Sequence, residues 1–337
     1  MMSSAPRVSV LVPAWNDGVY LDAALRCLAD QTWSDFEVVI ADDGSTDDTP
    51  EVAAAWASRD ARFRLLRGES NRGMTENWNA ALRAARGELV TKLDADDAAA
   101  PDFLAAMVPE LDDAAVSAVF CRTVECDDEL RPVAPWDGER AFALHGLDPA
   151  QRIVRPGHDW LAMSFDDHQL WHSDAFLMRR EELLALGGWD ERWSCAADTD
   201  LILRVLEQGK RVVHVPVMGI SYRRRERSVS RRAAVEGWKH VEAALVPLCS
   251  LARAGRPLAR RSAALRQHWW RLWRAAQGLR SDTTLVGSLP SQHARRLAPL
   301  LATLTPPPAW VRIEGDLRLL GWRTRRALST VAAKRAS

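Results

Sequence analysis

The chain has 337 residues, enough for one large domain or two smaller ones. Hydrophobic residues make up 47% and no apolar run reaches 18 residues, which allows a sizeable core and argues against a membrane-spanning helix. Net charge is zero, yet residues 1–220 hold 21 Lys and Arg against 39 Asp and Glu, while residues 221–337 hold 24 against 6. Such a reversal marks two parts that either meet different partners or pack on each other.

The five cysteines, Cys27, Cys121, Cys126, Cys195 and Cys249, are scattered and lack a CxxC pair. They read as reduced thiols of a cytosolic protein, not as a disulfide frame or a zinc site. The opening "MMSSAPRVSVLVPAW" has no charged segment before a long apolar core, so a secretory signal is not expected.

From the start, strand-like and helix-like patterns alternate. "RVSVLVPAW" is a β-branched apolar run, and in "GVYLDAALRCLADQ" Leu21, Leu25 and Leu28 share a helical face. "FEVVIADDGSTDD" is a second strand, and "TPEVAAAWASRD" a helix with Pro50 in its first turn. "RFRLLRG" is a short strand, "MTENWNAALRAARG" a helix ended by Gly87, and "ELVTKLDADD" a further strand. This alternation predicts an α/β fold with a doubly wound, mostly parallel sheet. Ligands of such folds bind beyond the carboxyl ends of the strands, where "VPAWN", "ADDGS" and "DADD" fall.

From about 115 to 195 the pattern blurs. "SAVFCRTVEC" reads as a strand, and the stretch from "LHGLDPAQ" to "DDHQLWHS" reads as irregular. "AFLMRREELLALGGWDERW" holds a strand, a short helix and a Gly-Gly turn. "ADTDLILRVLEQG" is a helix and "KRVVHVPVMGISYRRR" returns to strand. A catalytic-type domain is expected over 1–232. A basic, Trp-containing, mostly helical region follows over 233–337.

Three acids crowd the end of one strand: Asp94, Asp96 and Asp97. Like charges this close stay ionised only if water, donors or a cation compensates. Residues i and i+2 of an extended segment face one side, so Asp94 and Asp96 can share a hard cation such as Mg²⁺ or Mn²⁺ with a substrate phosphate. A solvated acidic turn is the plain alternative. Asp43 follows the second strand, where it can cap a helix or bind a ribose or base. No G-x-G-x-x-G follows the first strand, which argues against a dinucleotide cofactor held that way. Asp198 stands at a helix start, as a cap or as a general base. His158, His168 and His172 do not have the spacing of a zinc site. Trp171 and Trp189 either line a pocket or fill a core.

Taken together, these segments resemble an inverting glycosyltransferase of family 2 with the GT-A fold. The opening through "IADDGSTDDT", the stretch "NRGMTENWNAALRAARGELVTKLDADD", the segment "GGWDERWSCAADTDLILRVLEQG" and "YRRRERSVS" match that family's motifs in order, over roughly residues 7–230. The resemblance implies that Pro13, Ala14 and Asn16 lie around the nucleotide and that Asp43 binds its base or ribose. It implies that Asp94 and Asp96 form the DxD metal site, with Asp96 the direct ligand, and that Asp198 is the general base. Ala197 departs from the Glu that often precedes that base. Arg223 and Arg224 either clamp phosphate or form a solvated turn.

The expected donor is a nucleotide-diphosphate sugar, UDP-linked ahead of GDP- or dTDP-linked. The acceptor is a hydroxyl of a saccharide, a lipid-linked saccharide or a small molecule. The basic helix around 260–280 either lies on an anionic membrane face or packs on the acidic part. Nucleic acid is not expected, because no recognised module accompanies the charge. The rivals are a sugar nucleotidyltransferase, whose glycine-rich signature "VPAWNDG" lacks, and a catalytically silent GT-A-like scaffold.

Overall fold

A computed structural model describes residues 5–136, 138–164 and 170–225, with a few positions between 242 and 253. The chain divides into Met1–Ser228 and Val229–Ser337, and the fold described is that of the first unit. The 260–280 helix, His168 and the serines of "YRRRERSVS" lie outside the described residues.

The elements run β1 (Val8–Ala14), α1 (Gly18–Ala29), β2 (Phe36–Asp42), α2 (Thr49–Arg59), β3 (Phe63–Arg67), α3 (Met74–Ala84) and β4 (Leu89–Lys92). Then come β5 (Ala98–Ala99), α4 (Phe103–Met107), β6 (Val116–Cys126), β7 (Pro132–Pro135), α5 (Glu139–Leu144) and β8 (Ile153–Pro156). The unit closes with α6 (Gly157–Ser164), β9 (Phe176–Arg179), α7 (Arg180–Ala185), α8 (Ala197–Glu207) and β10 (Arg211–Arg223).

Every residue of β1 and β2 is buried, as expected for strands covered on both faces. The α1 stripe of Leu21, Ala24, Leu25 and Leu28 supplies part of that cover. Ten strands form one sheet, whose main path is β3-β2-β1-β4-β9-β6-β10-β5. The first four are parallel, with Val8 opposite both Phe36 and Leu89. Their carboxyl ends therefore open at one edge.

The second half is mixed. β9 runs antiparallel to β4, with Val90 opposite Met178. That reversal puts the start of β9 beside the end of β4. β10 pairs antiparallel with β5 through Ile220 and Ala99, which returns its last residues to the same edge. The stretch read as irregular contains β8 and α6. β8 is short and pairs with β10, and α6 buries Trp160 and Leu161. Among the described residues, no helix is long and apolar enough to cross a membrane.

Candidate functional site

The loop after β1 is tied to the loop after β2. Asn16 sits at φ 55°, a left-handed conformation that asparagine tolerates better than most residues. Its N–H donates to Ser45 Oγ at 2.9 Å, and its Oδ1 accepts the Thr46 N–H at 2.9 Å. Pro13 and Ala14 are the buried last residues of β1, and the Ala14 carbonyl accepts the Asp43 N–H at 3.0 Å. Asp43 is buried, and its carboxylate accepts the N–H groups of Arg72 and Gly73 at 2.9–3.1 Å. These four residues lie together at the carboxyl ends of β1 and β2, and Asp43 is engaged by the loop that leads into α3.

The acids after β4 each meet a specific partner. Lys92 is fully buried on β4, and its Nζ donates to Asp94 Oδ1 at 2.6 Å and to Asp174 Oδ1 at 2.5 Å. Burial alone would lower the Lys92 pKa, but Asp174 and Asp94 outweigh it and the pKa is raised. Asp174 also accepts the Asp94 N–H at 2.8 Å. Burial, then the Asp174 charge, pushes Asp94 up to about 7 despite Lys92. Asp96 forms an ion pair with Arg225 at 2.5 Å, and burial still raises its pKa. Asp97 accepts the Arg223 N–H at 2.8 Å through Oδ1, while its Oδ2 is buried without a hydrogen-bond partner.

Arg223 is buried, and its Nε donates to the Asp96 carbonyl at 2.7 Å. Arg224 instead reaches Glu125 at 3.1 Å and is largely exposed. The guanidinium carbons of Arg223 and Arg225 each stand 4.9 Å from the Tyr20 ring. His172, packed on Tyr222 and Trp136, joins Asp97 and Asp174 in a buried group whose ligand atoms lie within 4.8 Å of one another. Burial lowers the His172 pKa. The oxygen-rich donor set and the orphaned Asp97 Oδ2 suit a hard divalent cation. The Lys92 ammonium on Asp174 opposes a cation placed there.

Asp198 lies in the first turn of α8, where its Oδ1 accepts the Thr199 N–H at 2.6 Å. It lines a mostly apolar pocket with Ser173, Trp171, Trp189 and Leu201. Ser173 Oγ donates to Asp174 Oδ1 at 3.1 Å, which connects the pocket to the acids at β4. Both tryptophans are buried: Trp171 stacks on Phe120, and Trp189 meets Trp78 edge-on. They are thus pocket lining and core at once. Ala197 is fully buried, and Asp200 is buried against Arg204 at 2.7 Å. Lys92 and Asp174 carry no sequence signal of their own, since they meet only through the β4–β9 pairing.

A parallel half whose strand-end acids meet Asp174 and Arg223 from a mixed half is the arrangement of the GT-A fold. The Pyrobaculum calidifontis mannosyltransferase PcManGT, solved with GDP-Man and Mn²⁺, is similar over 94% of this chain and 85% of its own, with TM-score 0.54 and 22% identity. Residues 1–349 of S. aureus TarS, solved with UDP-GlcNAc, are similar over 92% and 88%, with TM-score 0.63 and 19% identity. Residues 9–157 match the family described as Glycosyl transferase family 2. The glycosyltransferase GlyG of Streptococcus pneumoniae is 28% identical over 141 residues, 42% of this chain and 44% of GlyG. That family match covers a little under half of the chain, and the likeness to the two solved structures is one of fold. The chain spans between 30% and 58% of the length of four curated relatives.

Proposed function

We propose that the chain is an inverting glycosyltransferase, moving a sugar from a nucleotide-diphosphate sugar to an acceptor hydroxyl. Asp198 accepts the hydroxyl proton, the oxygen attacks the anomeric carbon from the face opposite the diphosphate, and the carbon–diphosphate bond breaks. Asp94 and Asp96 would hold a Mn²⁺ or Mg²⁺, which supplies charge neutralisation at the leaving diphosphate. Pro13, Ala14, Asn16 and Asp43 frame the nucleotide, and Arg223 faces the phosphates. The donor is UDP-linked in preference to GDP- or dTDP-linked. The acceptor is a saccharide, lipid-linked or small-molecule hydroxyl.

One observation carries this reading: Asp198 and the Asp94–Asp97 acids are linked through Ser173 and Asp174 within a unit whose residues 9–157 match family 2. TarS and PcManGT were solved with UDP-GlcNAc and GDP-Man, which makes both nucleotides worth testing.

The test is a thermal-shift series with UDP-, GDP- and dTDP-sugars, each with Mn²⁺, Mg²⁺ or EDTA, on the wild type and Asp96→Ala. A ligand selective for the folded state raises Tm by mass action. The expected result is stabilisation by one nucleotide class that EDTA and the variant both remove. Stabilisation that survives EDTA and the variant would overturn the metal assignment. Stabilisation without metal-dependent sugar-nucleotide hydrolysis would make the chain a silent scaffold.

A further inference from the structure

Five carboxylates meet at this edge, those of Asp17, Asp94, Asp96, Asp97 and Asp174, and three cations answer them: Lys92, Arg223 and Arg225. The three are held differently. Lys92 is fully buried between two acids on the sheet. Arg223 is fixed by its own backbone N–H on Asp97 and by its Nε on the Asp96 carbonyl. Arg225 follows β10, keeps its side chain 24% exposed, and holds two carboxylates by charge, Asp96 at 2.5 Å and Asp17 at 3.0 Å.

We infer that Arg225 is an internal counter-ion that occupies the Asp96 carboxylate when no divalent cation is bound and must leave it for the cation to enter. The inference rests on the reading of Asp96 as a metal ligand. A guanidinium cannot deprotonate in a protein, so it can be displaced from Asp96 but not titrated off it. Arg225 Nε sits 2.5 Å from Asp96 Oδ2, so a metal ion ligated by that oxygen would compete with the guanidinium and repel it. Asp17 and the Tyr20 ring remain as an anchor when Asp96 is taken. The displaced planar fork is then available to phosphate oxygens, whose geometry it matches.

Two consequences follow. Divalent-ion affinity is weak in the donor-free protein, because only sites with Arg225 already displaced are competent. Donor and metal also strengthen each other, because the diphosphate gives the displaced guanidinium a new partner. That coupling is reciprocal.

The experiment is Mn²⁺ binding to the nucleotide-free chain, followed by electron paramagnetic resonance, for wild type, Arg225→Gln, Arg225→Lys and Asp96→Asn. Removing the competitor should tighten Mn²⁺ by about tenfold in Arg225→Gln. Arg225→Lys, which keeps the charge, should stay near wild type, and Asp96→Asn should lose the site. A purely structural role for Arg225 would weaken the metal or leave it unchanged. Arg225→Met keeps an unbranched stem without the charge and gives the same comparison if the glutamine variant does not fold. Equal or weaker Mn²⁺ binding without the guanidinium would overturn the counter-ion role and leave the metal site standing. No Mn²⁺ binding in either wild type or Arg225→Gln would overturn both.

Discussion

Asp198 stands under two demands. As a first-turn residue of α8, its Oδ1 accepts the Thr199 N–H at 2.6 Å. As a general base it needs an oxygen facing the acceptor. Asp198→Asn separates the two, because the amide keeps a carbonyl oxygen for Thr199 and loses the capacity to take a proton. Turnover should fall about 10²–10⁴-fold, the usual worth of general-base help. The donor-induced thermal shift should persist, and steady-state rates with the identified donor check both. A small loss of rate would move the base elsewhere. Asp94, Asp96 and Asp198 are legible in the sequence because each follows a strand or begins a helix inside a recognisable segment. Lys92 and Asp174 are not. They lie 82 positions apart, and their bond exists only because β9 runs back along β4.

At the scale of elements, α3 does more than cover the sheet. Its Asn79 Nδ2 donates to the Trp189 carbonyl at 2.8 Å, and its Oδ1 accepts the Trp189 N–H at 2.9 Å. Thr75 Oγ1 adds a bond to the Trp193 carbonyl at 3.2 Å. The helix thereby holds the loop that leads into α8 and Asp198. Gly188 has φ 68°, and a Cβ there would lie 2.4 Å from Asn79 Oδ1, so the close approach demands glycine. Asn79→Ala leaves a buried N–H and carbonyl without their partners and should cost about 2–3 kcal/mol. For a unit of this size that lowers Tm by roughly 5–10 °C, measurable by circular dichroism. The helix and the Gly-Gly turn are each visible in the sequence. Their clamp is not, because 110 residues separate its ends. β8 and α6 escaped sequence reading for another reason. Four-residue strands are too short to display a period, and β8 exists because β10 offers it an edge.

At the scale of the whole molecule, the parallel half is legible, while the mixed half is legible in β6, β9, α8 and β10 but not in how they pair, and the His214 part of the acid response depends on that pairing. His214 of β10 is 1% exposed and packs against Phe120 and Phe142 at ring distances of 5.0 and 4.8 Å. Its Nδ1 lies 3.1 Å from the Gln151 carbonyl, which selects the neutral tautomer with the proton on Nδ1. Burial lowers its pKa to about 4, with the Gln151 contact opposing and Arg122 assisting. The folded value is therefore below the unfolded one near 6.5. A depressed pKa gives stability that is complete above the unfolded value and is lost as pH falls toward the folded value. The window is pH 6.5 down to 4, and the full loss is about 3 kcal/mol at 1.36 kcal/mol per pH unit. Asp94 works in the opposite sense. Its raised value favours the folded state at low pH, and that contribution fades as pH rises through about 7. Wild-type stability alone would mix the two slopes, so the informative quantity is a difference. His214→Gln keeps a donor for Gln151 and removes the titration. Urea unfolding at pH 7, 6, 5 and 4.5 should find the wild type losing stability relative to the variant as pH falls. Parallel curves would mean that His214 titrates normally, and that the aromatic layer joining β6 to β10 opens to water well before the unit unfolds.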